Sequence, residues 1–164
     1  MMRGEDIKRL IPQRNPMLMV DEFEALDEQT AHTALTVRSD NMFLYRNGEL
    51  PESGLIEHIA QSASALAGYQ ALSSPQSGGT EGGLGTTQPP VGIIGEVKHF
   101  ECSRRPVNGD KIETCVSFGF SFAGATIIRA TSCIAGEQIA ETQMKIFIYL
   151  KALLKQIQLI KILI

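Results

Sequence analysis

Cysteine is scarce in this chain and poorly spaced for cooperative chemistry. Cys102, Cys115 and Cys133 are an odd number with no CxxC pair among them, which argues against a disulfide framework and against a thiolate metal knuckle. Each falls in a strand-like run, where a buried thiol is the ordinary expectation. Histidine is equally sparse: His32, His58 and His99 stand in different elements, so a metal site would require folding to gather them, and neither a metal nor a cofactor is expected. There is no excess of positive charge. Fifteen Lys and Arg against eighteen Asp and Glu leave a net charge of -3, which removes the electrostatic footprint of a nucleic-acid-binding protein. No apolar run opens the chain, since residues 1–10 read MMRGEDIKRL; no secretory segment is expected, and with the cysteine usage this implies a reducing, cytoplasmic setting. The glycines of residues 73–90, SSPQSGGTEGGLGTTQPP, are not followed by GK[ST], so they do not form a phosphate loop.

What is present is one domain's worth of sequence, 164 residues. Residues 17–26 and 31–37 alternate or run apolar and predict two strands joined near Asp27 and Glu28. A long helix follows. Residues 73–90 are too rich in Gly, Ser, Thr and Pro for regular structure and read as a mobile surface loop. Four further strands are predicted over residues 91–101, 111–120, 126–134 and 138–149. Val107-Asn108-Gly109-Asp110, Ala123-Gly124 and Ala135-Gly136-Glu137 sit between them where hairpins would turn. Strands grouped apart from one helix, with short connections, predict an α+β protein: an antiparallel sheet wrapped around one long central helix. Such a sheet keeps an edge, and edges are usually capped or paired, so an association of two subunits is expected.

The helix carries the most informative residues. Pro51 precedes it, Ser53 is placed to cap its first N–H groups, and Ile56, Ile59, Ala60, Ala63, Leu66 and Ala67 recur at helical spacing. The opposite face, Gln61, Ser62, Ser64 and Ala65, is small and nearly uncharged, so the helix is covered on most sides. Glu57 lies within it. Two readings stay open: a glutamate of the first turns facing water, favoured by the helix dipole, or a carboxyl group in an apolar cleft, where such groups can act as general acids. His58 is adjacent, but consecutive helical residues project about 100° apart, so the two do not face one cleft together. His58 reads first as structural, and His99, between Lys98 and Phe100, points to the opposite face from both; which face is inward stays open, and either histidine could reach the site as a substitute base.

The motifs in this order resemble a known family. Residues 10–21, LIPQRNPMLMVD, are similar to the opening of the hot-dog-fold 3-hydroxyacyl-acyl-carrier-protein dehydratases, in which a Leu-Pro-His-Arg-like start precedes a Pro-x-Leu-Leu-Val-Asp strand. Residues 51–61 resemble the same family's helix, with Glu57, Ala60 and Gln61 at matching positions. NGELPxxxLIExxAQ followed by Gly92-Ile93-Ile94-Gly95 is closer still to the dehydratase-like subunits of aryl-polyene and flexirubin pathways. The resemblance covers about residues 7–149 and implies a hot-dog domain over residues 1–149.

Its implied reaction is the dehydration of a 3-hydroxyacyl thioester to a trans-2-enoyl product, a hydro-lyase activity. In that family a histidine removes the C2 proton, and a carboxylate on the other subunit's central helix handles the departing hydroxyl. Glu57 matches the carboxylate. Gln13 stands where the histidine should be, and a carboxamide cannot accept a proton from carbon near neutrality. Ile56, Ile59, Ala60, Gln61 and Ala63 are the expected walls for an acyl chain, although a plain core would need them equally. The implied partners are an acyl carrier protein or coenzyme A thioester, and a second hot-dog subunit, identical or related. Lys98, Arg104, Arg105 and Lys111 form a candidate patch for an acidic carrier, with a solvated loop as the alternative. Two functions stay open: a dehydratase, or a silent hot-dog subunit that binds acyl chains or stabilises an active partner. Residues 150–164, LKALLKQIQLIKILI, lie beyond the resemblance and read as an amphipathic extension. Leu150, Leu153, Leu154, Ile157, Ile160 and Ile164 share one helical stripe. Docking on protein is the first reading of it and contact with a membrane surface the second.

Overall fold

The computed structural model describes residues 1–73 and 89–149. The segment expected to be a loop over residues 73–90 lies mostly outside them, and so does the extension 150–164. Seven strands form one antiparallel sheet: β1 (Met2–Arg3), β2 (Glu22–Ala25), β3 (Thr30–Thr36), β4 (Val91–Cys102), β5 (Lys111–Phe122), β6 (Ala125–Ile134) and β7 (Glu137–Tyr149). Their spatial order is β1-β2-β3-β5-β6-β7-β4. A 3-10 turn over Gly4–Asp6 and the short helix α1 (Ile7–Leu10) precede β2, and the long helix α2 (Glu52–Ser73) joins β3 to β4.

The sheet closes over α2, whose residues from Leu55 to Gly68 are buried on nearly every side apart from Ile56 and Glu57. Even-numbered positions of β5, Ile112, Thr114 and Val116, and Ile128, Ala130, Ser132 and Ile134 of β6 face the helix. This is the two-residue period of strands with one covered face. Leu55, Ile59, Ala63 and Leu66 meet them in one continuous core.

Four expectations need correction. The cysteines are not buried: Cys115 is exposed, and Cys102 and Cys133 are half-buried. The helix begins at Glu52, with Pro51 O accepting from the N–H groups of Gly54 and Leu55, so Ser53 is inside the first turn and is not its cap. The strand expected over residues 17–26 is only Glu22–Ala25, because side chains of α2 take the backbone groups of Met17 and Met19 that a ladder would have used. The turn at Asn108-Gly109 does not close a hairpin. Strand β4 crosses to the far edge beside β7 and never pairs with β5. Its connection is held instead by Leu50 N–H to Pro106 O (2.7 Å) and a bridge between Glu49 and Val107.

The other two turns are as expected. In both, two successive residues have positive φ: Ala123 (51°) with Gly124 (79°), and Ala135 (51°) with Gly136 (81°). That is the left-handed pair that matches the twist of hairpin strands. Glycine adopts it freely, whereas alanine does so against a steric cost of about 1 kcal/mol. Replacing Ala135 by Asn, which tolerates this conformation, is expected to raise the urea midpoint by the equivalent of about 0.5–1 kcal/mol. At Gly68 the reverse holds: a Cβ there would sit 2.0 Å from Leu10 O, so Gly68→Ala has to part α1 from α2. A loss of about 1–3 kcal/mol in the same denaturation measurement is the expected outcome.

Candidate active site

The segment from Ile11 to Val20 crosses α2 as irregular chain and is fastened at many points. Arg14 donates to the carbonyls of Lys8, Ile11 and Gln13 at 2.7–3.0 Å, and the Asn15–Pro16 peptide is cis. Gln61 then closes the segment onto the helix. Its Oε1 accepts from Met19 N–H (2.8 Å), and its Nε2 donates to Met17 O (2.7 Å) and to Glu57 Oε1 (2.7 Å). These three contacts fix which way the carboxamide faces, and they use both its N–H bonds.

His58 makes the second fastening from inside the core. Its ring is fully buried, with Nδ1 2.6 Å from Met19 O and Nε2 2.9 Å from Thr114 Oγ1. A carbonyl only accepts, so Nδ1 carries the proton and Nε2 accepts from the Thr114 hydroxyl. Ser132, 2.7 Å from Thr114 Oγ1, then supplies the next donor in the chain. A parallel link runs from Thr33 to Ser62 (2.7 Å), whose hydroxyl donates to His58 O. Burial pushes the imidazole down to about 4, against the opposing pull of the Met19 carbonyl and the Asp21 charge, so His58 is neutral and has no free nitrogen. His99 lies on the outer face of β4, beside Glu101 and Glu141 at 3.4 and 3.6 Å. Neither histidine faces Glu57 from within this chain.

Glu57 is half-buried. Gln61, one turn on, holds Oε1, and Oε2 has no hydrogen bond among the described residues. The carboxyl group is therefore aimed, with one oxygen committed to position and one available. Gln13 is half-buried in the fastened segment, and its Oε1 is shut from solvent with no hydrogen-bond partner. No hydrogen bond joins it to Glu57. An unpaired buried acceptor of this kind costs about 1–3 kcal/mol.

The expected walls divide. Ile59 and Ala63 are wholly inside the core, and Gln61 is occupied as a clamp. Ile56 stays half-exposed, and Ala60, at 9 % exposure, lies one turn from Glu57 on the same side. Ser64, Ala67 and Ala71 continue that side at helical spacing. Ala67 and Ala71 line a cavity of about 380 Å³ with Phe118 of β5 and Ile148 of β7. The basic residues are dispersed and mostly engaged. Arg104 pairs with Asp110 (2.8 Å), Arg105 with Glu52 (3.0 Å) and Lys111 with Glu22 (3.0 Å), while Lys98 is exposed on β4.

A family model described as ApeP-like, ApeP dehydratase, matches residues 5–147. The chain belongs to the ApeP-like dehydratase family. Among solved structures, the dehydratase heterocomplex ApeI:P from Xenorhabdus doucetiae is similar over 92 % of this chain and 95 % of that one, at 16 % identity and a TM-score of 0.75. Cj0977, a sigma28-regulated virulence protein from Campylobacter jejuni, covers 87 % of each chain at 12 % identity and 0.61. The E. coli PaaI protein of the phenylacetic acid degradation operon covers 77 % of this chain and 81 % of that one at 9 % identity and 0.54. No curated protein sequence matches the chain. The fold is the hot-dog fold, and the protein is dehydratase-like, as the motifs around Glu57 implied. Thr33, Thr114 and Ser132 were not picked out from sequence. Each is a polar residue among the apolar inward positions of its strand, and that mismatch is the signal that could have found them.

The buried imidazole gives the site a pH dependence. An unfolded chain takes up a proton at His58 near the ordinary value of 6.5, whereas the folded chain refuses it until about 4. Its contribution to stability is thus complete above about pH 6.5 and is lost as pH falls toward 4, up to about 3 kcal/mol in all. Urea unfolding across this range should show that slope, and a His58→Gln variant should lack it; equal slopes in the two proteins would refute the assignment.

Proposed function

We propose that this protein supplies the carboxyl half of a two-subunit 3-hydroxyacyl-thioester dehydratase in polyene or fatty acid biosynthesis. The single observation that carries this reading is the state of Glu57: oriented by Gln61, with one oxygen uncommitted, in a chain whose His58 is locked in the core and whose His99 faces outward. The proton at C2 goes to a base on a second, related hot-dog subunit. The C3–O bond breaks, Glu57 gives its proton to the departing hydroxyl, which leaves as water, and the electron pair of the C2–H bond becomes the C2=C3 double bond. The assembly of the ApeI:P structure as a dehydratase heterocomplex supports a partner of this kind. Gln13 offers substrate a hydrogen bond only once its carboxamide turns, because Oε1 is shut from solvent, and a carboxamide binds without doing proton transfer.

The acyl chain lies along Ile56, Ala60, Ser64 and Ala67 toward the cavity under Phe118 and Ile148. Along that side Ala60, Ser64 and Ala67 are buried and Ser64 packs against Gly92 of β4, so the chain has to part that contact to reach the cavity, while Ile59, Gln61 and Ala63 back this wall. The thioester is carried by an acyl carrier protein or coenzyme A in the cytoplasm, and the carrier docks near Lys98, Arg104, Arg105 and Lys111. Its acidic groups would exchange with Asp110, Glu52 and Glu22 for three of these cations, so steering from this patch is modest. The second reading, a subunit that only binds acyl chains or stabilises an active partner, is favoured by Gln13 alone.

The test is turnover of a 3-hydroxyacyl-carrier thioester, followed by mass spectrometry of the enoyl product. The chain by itself should be silent. With a related, histidine-bearing hot-dog subunit it should be active, and Glu57→Gln should lower that activity by about a hundredfold or more. Unchanged turnover in the Glu57→Gln mixture would leave only the binding role. Turnover by the chain alone would place the base within it and remove the requirement for a partner's histidine.

A further inference from the structure

The sheet's outer face carries an aromatic cluster that the dehydratase reading does not use. A bulge in β5 between Phe118 and Ser121 shifts its alternation by one residue. Phe118 and Ser121 both line the inner cavity with Thr126 and Ile148, so Phe120 and Phe122 turn outward. Each is 74 % exposed, and their rings stack at 6.5 Å. On β7, Ile146 is buried and Ile148 lines the inner cavity, which sends Phe147 and Tyr149 outward, stacked at 6.2 Å. The register connects the two pairs. Phe122 lies opposite Ala125, Ala125 opposite Phe147, and Phe147 opposite Ile93 of β4, itself 48 % exposed. The row is apolar across four strands; two aromatic rings, Phe122 and Phe147, belong to it, and Phe120 and Tyr149 stack beside them. Contiguous exposed apolar patches of this kind are normally covered.

We propose that residues 150–164 of the same chain cover this row. Tyr149, the last residue of β7, is itself a member of the patch, so the following segment starts where its binding surface lies. Tethering at zero distance gives it an effective concentration that a second copy in dilute solution does not reach. Its sequence matches in chemistry: an apolar stripe from Leu150 to Ile164, with Lys151, Lys155 and Lys161 mainly elsewhere and no acidic residue. It matches in reach as well, since fifteen residues exceed the roughly 14 Å of four strands even at the compact rise of about 1.5 Å per residue. Glycine at position 95 permits the arrangement at the β4 end of the row. A Cβ there would meet the Phe147 ring at 2.5 Å, so the ring packs directly against the β4 backbone.

The three lysines make the proposal measurable by limited trypsin digestion of the full chain, with cleavage at Lys151, Lys155 and Lys161 followed by mass spectrometry. Docked, these bonds are cut only when the segment lifts, so the rate tracks its opening. Cleavage there is expected to be about tenfold faster in a Phe120→Ser, Phe122→Ser double variant. A Leu154→Ser, Ile157→Ser variant, whose changes lie outside the sheet, should show the same acceleration. Sites within residues 1–149 should be cut as in the native chain, and the native rates should not change with protein concentration. If the patch variant loses its fold, which core cleavage would reveal, the segment variant decides. Equal cleavage of the three lysines in all three proteins would overturn the proposal. Protection that grows with concentration would assign the patch to a second copy, and protection only in the presence of anionic vesicles would assign the segment to a membrane surface.

Discussion

The structure depends on two side chains of α2 that replace a missing strand partner. Between Ile11 and Val20 the chain has no ladder beside it, yet Met17 and Met19 are held at the helix, because Gln61 and His58 accept from or donate to their backbone groups. In water those groups would be solvated at no cost; buried, each must find a partner. The helix provides partners that are themselves buried and saturated. The neutral state of His58 belongs to this arrangement, since only the neutral ring can donate from one nitrogen and accept at the other. Were the ring protonated, Thr114 would face a donor and the relay through Ser132 would have to reverse.

From that fastening the candidate site follows. Gln61 cannot release Glu57 without also releasing Met17, so the carboxylate's position is referenced to the whole irregular segment. Gln13 belongs to the same segment, held from its other end by Arg14 and by the contact of α1 with Gly68. The site thus combines irregular backbone with several side-chain hydrogen bonds. This is the economy expected where a group has to be aimed rather than merely buried.

Much of this was legible in the sequence, and the limits have physical causes. Strands β3, β5, β6 and β7 announced themselves by alternation and by turns at Ala123-Gly124 and Ala135-Gly136, both local signals. The identity of the helix and of Glu57 came from its small apolar surroundings and from family motifs. What was misread was non-local. Nothing in Asn108-Gly109 says that the strand before it belongs beside β7, because a turn fixes a change of direction and not a neighbour. Residues 17–20 have the composition of a strand; their hydrogen-bond partners lie about forty residues away on α2, a distance that pattern cannot bridge. The three bonds of Gln61 were out of reach for the same reason, since they are visible only once the segment is in place.

The position of β4 has a consequence for how the protein comes into being on a ribosome. Strand β4 is synthesised before β5, β6 and β7, but its one neighbour in the sheet is β7, the last to emerge. For the time needed to make roughly forty more residues, at 5–20 residues per second, Ile93, Ile94 and Val97 therefore wait on a strand with no partner on either side. Nascent chains pass through this interval with an adhesive segment displayed, and the charges interspersed in it, Glu96, Lys98 and Glu101, are the residues placed to keep it from pairing with its neighbours on the same message.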